Sequence, residues 1–342
     1  MMTKTFILML SACLMMACGK PSSETPGTNP TTETKTDGLK QLELLWKTSP
    51  LIQSTERTNC QEKLQAYADA CSSTAFKNLL SSDQNKYTLT VKYDNILSCY
   101  DAAFERVLSA LKEGKPSKGE VNIWLLYNMG YIIQTPSKTF GLDIYHYRAE
   151  ELAPYLDFIG STHVHQDHKS EPLMAAMYQA GKPVLSNYFE PEKNYVYTAS
   201  VTKDYEFGAC KIHTFITKHN NSTTNVPVTV FQIDCGEDAG GLVLMHSGDS
   251  NFIASEYDVT EKINVYIPRY APNALAENQV IGQVFQPDYV LLSHILELSH
   301  KDIYDSRWSF ELALDRASKI DCEKTYVPFW GEKLVWKNGK LN

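Results

Sequence analysis

Three features are scarce in this chain of 342 residues. Positive charge is in deficit, since the formal net charge is −8, whereas a protein that follows nucleic-acid phosphates needs a basic face. After the N-terminal segment there is no run of about 18 unbroken apolar residues, so we expect no membrane-spanning helix. No CxxC pair occurs, which argues against a structural zinc knuckle. These shortages predict a globular protein with no nucleic-acid partner.

The first 18 residues have the order of a secretory signal. A short start with Lys4 precedes an apolar run that ends just before Cys18. A small residue before a cysteine resembles a bacterial lipoprotein cleavage site, after which the cysteine carries lipid. Cys13 fits the consensus better, but Cys18 allows a more normal apolar length and is followed directly by a tether, so we favour Cys18. An ordinary cleaved signal without lipid is the alternative.

The predicted location follows from this N-terminus. Residues 1–18 are predicted as a lipoprotein signal peptide, and residues 19–38 as a flexible tether rich in Pro, Ser, Thr, Gly and Glu. We therefore expect a protein of the bacterial cell envelope, held to a membrane by its lipid and either periplasmic or surface-exposed.

The remainder divides at a turn-rich stretch, residues 113–119. Before it, apolar residues recur at spacings of three and four from Ile96 to Leu111, which predicts an amphipathic helix. Residues 39–118 are thus predicted as a helical N-terminal region and residues 119–342 as the main domain. No oligomeric state is predicted. A disulfide from Cys99 to Cys60 or Cys71 is conceivable in an exported protein.

The main domain alternates strand and helix signals. Helical signals lie at residues 171–180 and 308–317, with a short helix-like segment at 150–155. This mixture predicts an α/β (α+β) fold of two sheets flanked by helices. Strands are predicted at residues 121–127, 130–135, 139–144, 156–160, 183–185, 211–216, 228–233, 241–245 and 289–293.

One loop is dense in metal-binding side chains. His163, His165, Asp167 and His168 lie within six consecutive positions, and this run holds three of the nine histidines of the chain. An extended backbone sends alternate side chains the same way, so His163 and His165 can bind one ion while Asp167 and His168 reach a second. Zinc, manganese and iron accept both imidazole nitrogen and carboxylate oxygen. A polar loop with coincidental histidines is the alternative.

The segment LDFIGSTHVHQDH, residues 156–168, resembles the signature of the metallo-β-lactamase superfamily. The similarity extends from about Val121 to near the C-terminus and is strongest to the UlaG-like branch and to the N-acylphosphatidylethanolamine-hydrolysing phospholipase D branch. The resemblance implies an αββα sandwich with the motif at a strand end. It also implies that Asp143 supports the metal loop, with an ordinary turn residue as the alternative.

Further ligands follow from the same resemblance. His219, where a predicted strand ends, matches the third histidine of the first metal, and His213 within that strand is the alternative. His294 ends another strand and is implied to complete the second site, with His300 as the alternative.

Asp249 matches the aspartate that bridges both ions. Gly248 before it allows a tight turn, although a plain Gly-Asp turn would look the same. Asp167 and Asp249 are the implied catalytic carboxylates, and Asp167 orients the nucleophile or moves its proton in one version of the mechanism. The first implied site is His163, His165 and His219, and the second is Asp167, His168 and His294, with Asp249 shared.

The implied function is metal-dependent hydrolysis. Two divalent ions activate a hydroxide that attacks a phosphodiester or a lactone, ester or amide, in a small-molecule or lipid-like substrate. Zinc is favoured, with manganese or iron as alternatives. A non-catalytic metal-binding envelope protein, acting as a sensor or binding module, is the second hypothesis. Redox chemistry on di-iron is disfavoured because no flavin-binding region is present. Six tyrosines fall near predicted loops of this face, where they shape a pocket or serve as ordinary sheet aromatics. They are Tyr145, Tyr147, Tyr188, Tyr195, Tyr197 and Tyr270.

Overall fold

Two seven-stranded sheets form the centre of the protein in the computed structural model, which describes residues 35–80, 90–219, 226–300 and 308–342. The helices are α1 (Asp37–Leu45), α2 (Thr55–Ala70), α3 (Ser73–Leu80), α4 (Asn95–Glu113), α5 (Glu171–Gln179), α6 (Asn273–Ala276) and α7 (Phe310–Ala317). The strands are β1 (Glu120–Tyr127), β2 (Gly130–Gln134), β3 (Thr139–Leu142), β4 (Phe158–Ser161), β5 (Val184–Ser186), β6 (Lys203–Phe207), β7 (Cys210–Lys218), β8 (Pro227–Asp234), β9 (Val243–Gly248), β10 (Val265–Pro268), β11 (Tyr289–Leu291), β12 (Thr325–Tyr326), β13 (Lys333–Lys337) and β14 (Lys340–Leu341).

Both sheets are mixed. The first has the order β14-β13-β1-β2-β3-β4-β5, antiparallel up to β3 and parallel from β3 to β5. The second has the order β12-β11-β10-β9-β8-β7-β6, antiparallel from β6 to β9 and parallel from β9 to β12. Most of the predicted ligands lie in the loop after β4 of the first sheet and in the loops after β9 and β11 of the second. The carboxyl ends of parallel strands share one edge of a sheet, so the loops after β9 and β11 lie at the same edge.

The inner faces of the sheets pack on each other. Ile123 and Leu125 of β1 are buried in one apolar cluster with Phe231 of β8 and Leu244 of β9. Burial of such apolar surface from both sheets is the main force that holds a sandwich together.

Helices and loops cover the outer faces. Phe104 and Val107 of α4 are buried against Trp124 and Ile132 of the first sheet, together with residues of α5. On the second sheet, Tyr266 belongs to a cluster that includes residues of α6 and α7. The predicted α/β fold of two sheets flanked by helices is therefore confirmed.

The first helix starts earlier than the sequence suggested. α1 begins at Asp37, inside the stretch predicted as a tether, because the side chain of Thr36 accepts a hydrogen bond from the amide of Leu39 and so caps the helix. Gly38 also lies against α4, where an added Cβ would come within 2.0 Å of the carbonyl oxygen of Asn95. The predicted signal peptide and the lipidation candidates Cys13 and Cys18 lie outside the described residues. The division at residue 118 stays a prediction.

Several short strands were not predicted. β6 buries a single side chain, and β10 and β12 have four and two residues, so neither alternation nor length marks them clearly. The segment predicted as helix-like at 150–155 forms a short 3-10 turn, Ala149–Leu152. Cys60, Cys99, Cys210, Cys235 and Cys322 are buried free thiols, so the structure has no disulfide at Cys99. No helix in that part of the chain has the length and apolarity needed to cross a membrane.

Candidate metal centre

A buried carboxylate organises the loop after β4. Oδ1 of Asp143 accepts a hydrogen bond from the amide of Thr162 at 2.7 Å, and Oδ2 accepts one from the Thr162 hydroxyl at 2.8 Å. Nδ1 of His168 lies 2.8 Å from the same Oδ2. The resulting bond leaves Nε2 of His168 directed away from Asp143, towards the other candidate ligands. Asp143 therefore contacts both Thr162 and His168 of this loop.

The first group of candidate ligands joins this loop to the second sheet. His163 and His165 follow β4, whereas His219 follows β7 and Asp249 follows β9. One ligand atom from each of the four residues lies within 4.8 Å of every other. Nε2 of His219 is 3.1 Å from Oδ2 of Asp249. The four side chains thus converge on a space of the size that one metal ion occupies.

The second group lies beside it. Oδ2 of Asp167 is 3.3 Å from Nε2 of His168 and 3.3 Å from Nε2 of His294. His294 has φ of 69° just after β11, an uncommon conformation that turns the chain towards the loop. Ligand atoms of Asp167, His168 and His294 also lie within 4.8 Å of one another.

Asp249 stands between the two groups. Its Oδ1 is 3.4 Å from Nε2 of His168 and 3.6 Å from Nε2 of His294, while its Oδ2 faces His219. Gly248, with φ of 46°, brings the chain so close to Thr162 that an added Cβ would lie 2.3 Å from its hydroxyl oxygen. The turn therefore requires glycine, and one carboxylate offers an oxygen to each group.

Several buried polar atoms of this cluster have no hydrogen-bond partner among the described residues. They are Nε2 of His163, His168 and His294, and Oδ1 of Asp249. A buried polar atom without a partner is costly, and these are nitrogen and oxygen donors of the kind that divalent cations bind. The arrangement thus fits two divalent metal ions.

The electrostatics favour the metal-binding forms of His163, His165 and Asp249. Burial, with the neighbouring His168, holds the pKa of His163 well below its usual range, and burial with His219 lowers the pKa of His165. Burial opposes ionisation of Asp249, but Arg269 and the nearby imidazoles outweigh it and hold its pKa well below its usual range. Neutral imidazoles and ionised carboxylates are the forms that coordinate a cation.

Arg269 is a site residue that the sequence did not reveal. From the end of β10, its Nη1 donates to Oδ2 of Asp249 at 3.2 Å, and its Nη2 donates to the carbonyl of His219 at 2.6 Å. The β10–β9 pairing places Pro268 opposite Gly248, which brings Arg269 beside the bridging loop. A sequence prediction of strand β10, paired with β9, would have located Arg269 at the site.

Asn128 is a second such residue, in the turn between β1 and β2. Its Nδ2 donates to Oδ2 of Asp167 at 3.1 Å and so supports a candidate ligand of the second group. Its φ of 55° is typical of asparagine in a tight turn, a role that the sequence alone would have suggested first.

The two alternative histidines occupy different places. His300 lies at the edge of the second group, with Nε2 3.8 Å from Oδ2 of Asp167 and its ring stacked on His294 at 5.5 Å. His213 faces Asp204, with Nδ1 and Oδ1 2.7 Å apart, and belongs to neither group. His219 and His294 are thus the histidines that the fold brings into the two groups.

A cavity of about 880 Å³ opens onto both groups. Its lining includes His165, Asp167, His219 and Asp249. Its other lining residues include Arg269, Ser299, His300, Trp308 and Arg316. A space of this volume accommodates a substrate of small-molecule size.

No protein-family model and no curated protein matches this sequence. Similar solved structures include Igni18, a metallo hydrolase from the archaeon Ignicoccus hospitalis, at 15% identity and TM-score 0.41, covering 64% of this chain and 99% of that chain. The metallo-β-lactamase fold protein YhfI from Bacillus subtilis has 12% identity and TM-score 0.42, covering 63% and 99%. CmlA, a diiron β-hydroxylase from Streptomyces venezuelae, has 11% identity and TM-score 0.42, covering 65% and 55%. Likenesses this distant support no conclusion about the activity of this chain.

Proposed function

We propose that this protein is a metal-dependent hydrolase of the metallo-β-lactamase superfamily with two divalent cations in its active site. The observation that carries the proposal is the position of Asp249, whose two oxygens face two separate groups of ligand side chains. A carboxylate shared in this way is a common arrangement in two-metal hydrolytic centres.

The proposed ligands fall into the two groups that the structure brings together. One cation would be held by His163, His165 and His219, and the other by Asp167, His168 and His294, with Asp249 common to both. Bound cations would supply an activated water nucleophile and a Lewis acid for the substrate oxygen.

Other side chains prepare the site. The carboxylate of Asp143 fixes the tautomer and direction of His168. Arg269 ties the side chain of Asp249 to the backbone of His219, so the bridge and one ligand strand move together. Asp167 lines the cavity and accepts from Asn128, a position from which it orients the attacking water or moves its proton.

The proposed substrate is a small or lipid-like molecule with a phosphodiester, lactone, ester or amide bond. Sequence resemblance to the UlaG-like and phospholipase D-type branches supports this choice, and the cavity volume agrees with it. Zinc is the proposed metal, because five of the seven proposed ligands are histidines, with manganese or iron as alternatives.

We further propose that the chain is a bacterial lipoprotein, anchored in the cell envelope through Cys18. Support comes from the order of basic, apolar and small residues before this cysteine. Mass spectrometry of the membrane-extracted protein tests it. A diacylglycerol-modified Cys18 at the mature N-terminus is expected, and an unmodified N-terminus overturns the anchor.

The activity is tested with metal analysis and a panel of phosphodiester, lactone, ester and β-lactam substrates. We expect about two metal ions per chain and turnover that is lost with chelator and with Asp249→Asn, since removal of a shared ligand impairs both ions. Asp204→Asn is the matched control, because this carboxylate pairs with His213 outside the site. Tight metal binding without turnover of any substrate class would favour a non-catalytic metal-binding protein.

A further inference from the structure

A second cavity, of about 390 Å³, adjoins the metal cavity, and Gln166 lines both. One part of its lining is apolar and includes Leu80, Val164 and Pro172. Another part is polar and includes Tyr145 and His146. The second cavity thus shares a wall residue with the metal cavity and offers both apolar and polar contacts.

His146 contributes a hydrogen-bond donor with nothing to bind. Its ring is stacked between Phe104 and Tyr100, with centroids 4.1 and 4.2 Å away. The amide of Arg148 donates to Nδ1 at 3.1 Å, so Nδ1 holds a lone pair. Burial, with the charge of Arg148, holds the pKa of His146 well below its usual range. The ring is thus neutral with its proton on Nε2, an atom with no partner among the described residues.

Tyr145 contributes a second donor. Its side chain is 6% exposed, with the ring packed against Tyr127 and Phe76. Burial raises the pKa of this hydroxyl, so it keeps its proton. Its Oη also has no partner in the part of the chain that the structure describes. Two neighbouring residues that line one cavity therefore each hold an unused donor, and a buried unused donor is costly.

The charges at this cavity cancel. Nζ of Lys169 lies 2.8 Å from Oε1 of Glu171, and both residues line the cavity. The ammonium group also lies over the ring of Tyr188 at 5.7 Å. With its cation already paired and its histidine neutral, the cavity has little to offer an anion, but it suits an uncharged group with acceptor oxygen.

We propose that the second cavity is a substrate subsite for a neutral ester or amide carbonyl, which accepts hydrogen bonds from Tyr145 and His146. The alkyl part of the same group lies along Leu80, Val164 and Pro172. This inference rests on the proposed hydrolase function and adds the chemical class of a group beside the reacting bond.

The test is binding of N-butylacetamide, a neutral amide, to the zinc-loaded full chain, with hexanoate as the anionic counterpart. Titrations follow the side-chain Nε2–H signal of His146 by NMR in histidine-labelled protein. We expect the amide to shift this signal and to bind at least about 3-fold more tightly than hexanoate. Tyr145→Phe is expected to weaken amide binding about 3- to 10-fold, the usual effect of one lost hydrogen bond.

Two further variants make the result decisive. Tyr178→Phe removes a tyrosine hydroxyl outside this cavity and should leave amide binding unchanged. Val164→Trp, at a side chain that is 45% exposed, should block the cavity even if Tyr145→Phe fails to fold. The subsite would be overturned by equal binding of hexanoate, or by the absence of any effect of Tyr145→Phe or Val164→Trp. It would also be overturned if the two donors keep ordered water and bind no amide. Amide binding without turnover would instead overturn the proposed hydrolysis and leave the subsite standing.

Discussion

Oδ2 of Asp143 lies 2.8 Å from Nδ1 of His168, and both side chains are fully buried. A carboxylate behind a histidine fixes its tautomer and raises its basicity, and loss of such a partner typically weakens metal binding about 10- to 100-fold. We therefore expect Asp143→Asn to lower metal affinity by that factor, measured by competition with a chromogenic chelator.

The control for this variant is Asp157→Asn. Asp157 also accepts a backbone amide, that of Thr139 at 2.7 Å, but lies at the surface. Its substitution should leave metal affinity unchanged. Equal losses in the two variants would show that Asp143 has no special relation to the metal loop.

Removal of metal should destabilise the fold. An ion that binds only the folded chain adds about 4 kcal/mol to the free energy of unfolding when its free concentration is 1,000-fold above Kd. We expect chelator to lower Tm by several degrees and zinc to restore it, measured by calorimetry. Asp249→Asn should show a much smaller difference between the two conditions. The same difference in this variant would place the stabilising ion elsewhere.

The free energy of unfolding should fall as the pH is lowered, and part of this fall should come from His146. Burial lowers the pKa of His146, so below about pH 6.5 the unfolded chain binds a proton that the folded chain refuses. The stability that this group contributes is present above that pH and is lost as the pH falls, by up to about 1.4 kcal/mol per pH unit. In urea unfolding between pH 5 and 6.5, the free energy of unfolding of His146→Gln should change less steeply with pH than that of the unsubstituted protein. Parallel slopes for the two proteins would contradict it.

A buried ion pair ties helix α2 to the C-terminal part of the chain. Nη1 and Nη2 of Arg57 lie 2.5 and 2.6 Å from the two carboxylate oxygens of Glu332, and both side chains are almost fully buried. Glu332→Ala leaves a buried charge alone and should cost about 3–5 kcal/mol of unfolding free energy. Asp315→Ala breaks the exposed pair with Lys319 and should cost less than about 1 kcal/mol. Similar costs in urea unfolding would refute a special role for the buried pair.

Gly248→Ala tests the turn that carries the bridging aspartate. The new Cβ would meet the Thr162 hydroxyl at 2.3 Å, so the loop must shift and take Asp249 with it. We expect at least about 10-fold weaker metal binding, in line with other disturbed ligand shells. Gly181→Ala has a similar positive φ but open space around it, and should affect stability alone. Metal affinity is measured by chelator competition for both.

The sequence predicted the layered fold and drew attention to the ligand residues that the structure groups. Residues 163–168 are recognisable because their ligands lie close together in the sequence. Asp249 required the resemblance, because a plain Gly-Asp turn would look the same in the sequence. His219 and His294 required the resemblance, since each stands alone at the end of a strand.

Arg269 and Asn128 stayed hidden for a physical reason. Their contacts depend on which strands pair and in which register, and β10 was too short to predict. The second cavity stayed hidden as well. It depends on how α3 and the loop around Tyr145 pack together, and no periodicity in the sequence encodes that packing.

The candidate ligands come from both sheets, the histidine loop from β4 and the others from β7, β9 and β11. Neither sheet alone therefore supplies the complete set of proposed ligands. Tight metal binding would require that the two sheets have already packed together, and the bound ions would then link one sheet to the other. A chain whose sheets have not yet packed would present separated imidazoles with little metal affinity, so formation of the proposed site would depend first on packing of the sheets and then on supply of metal.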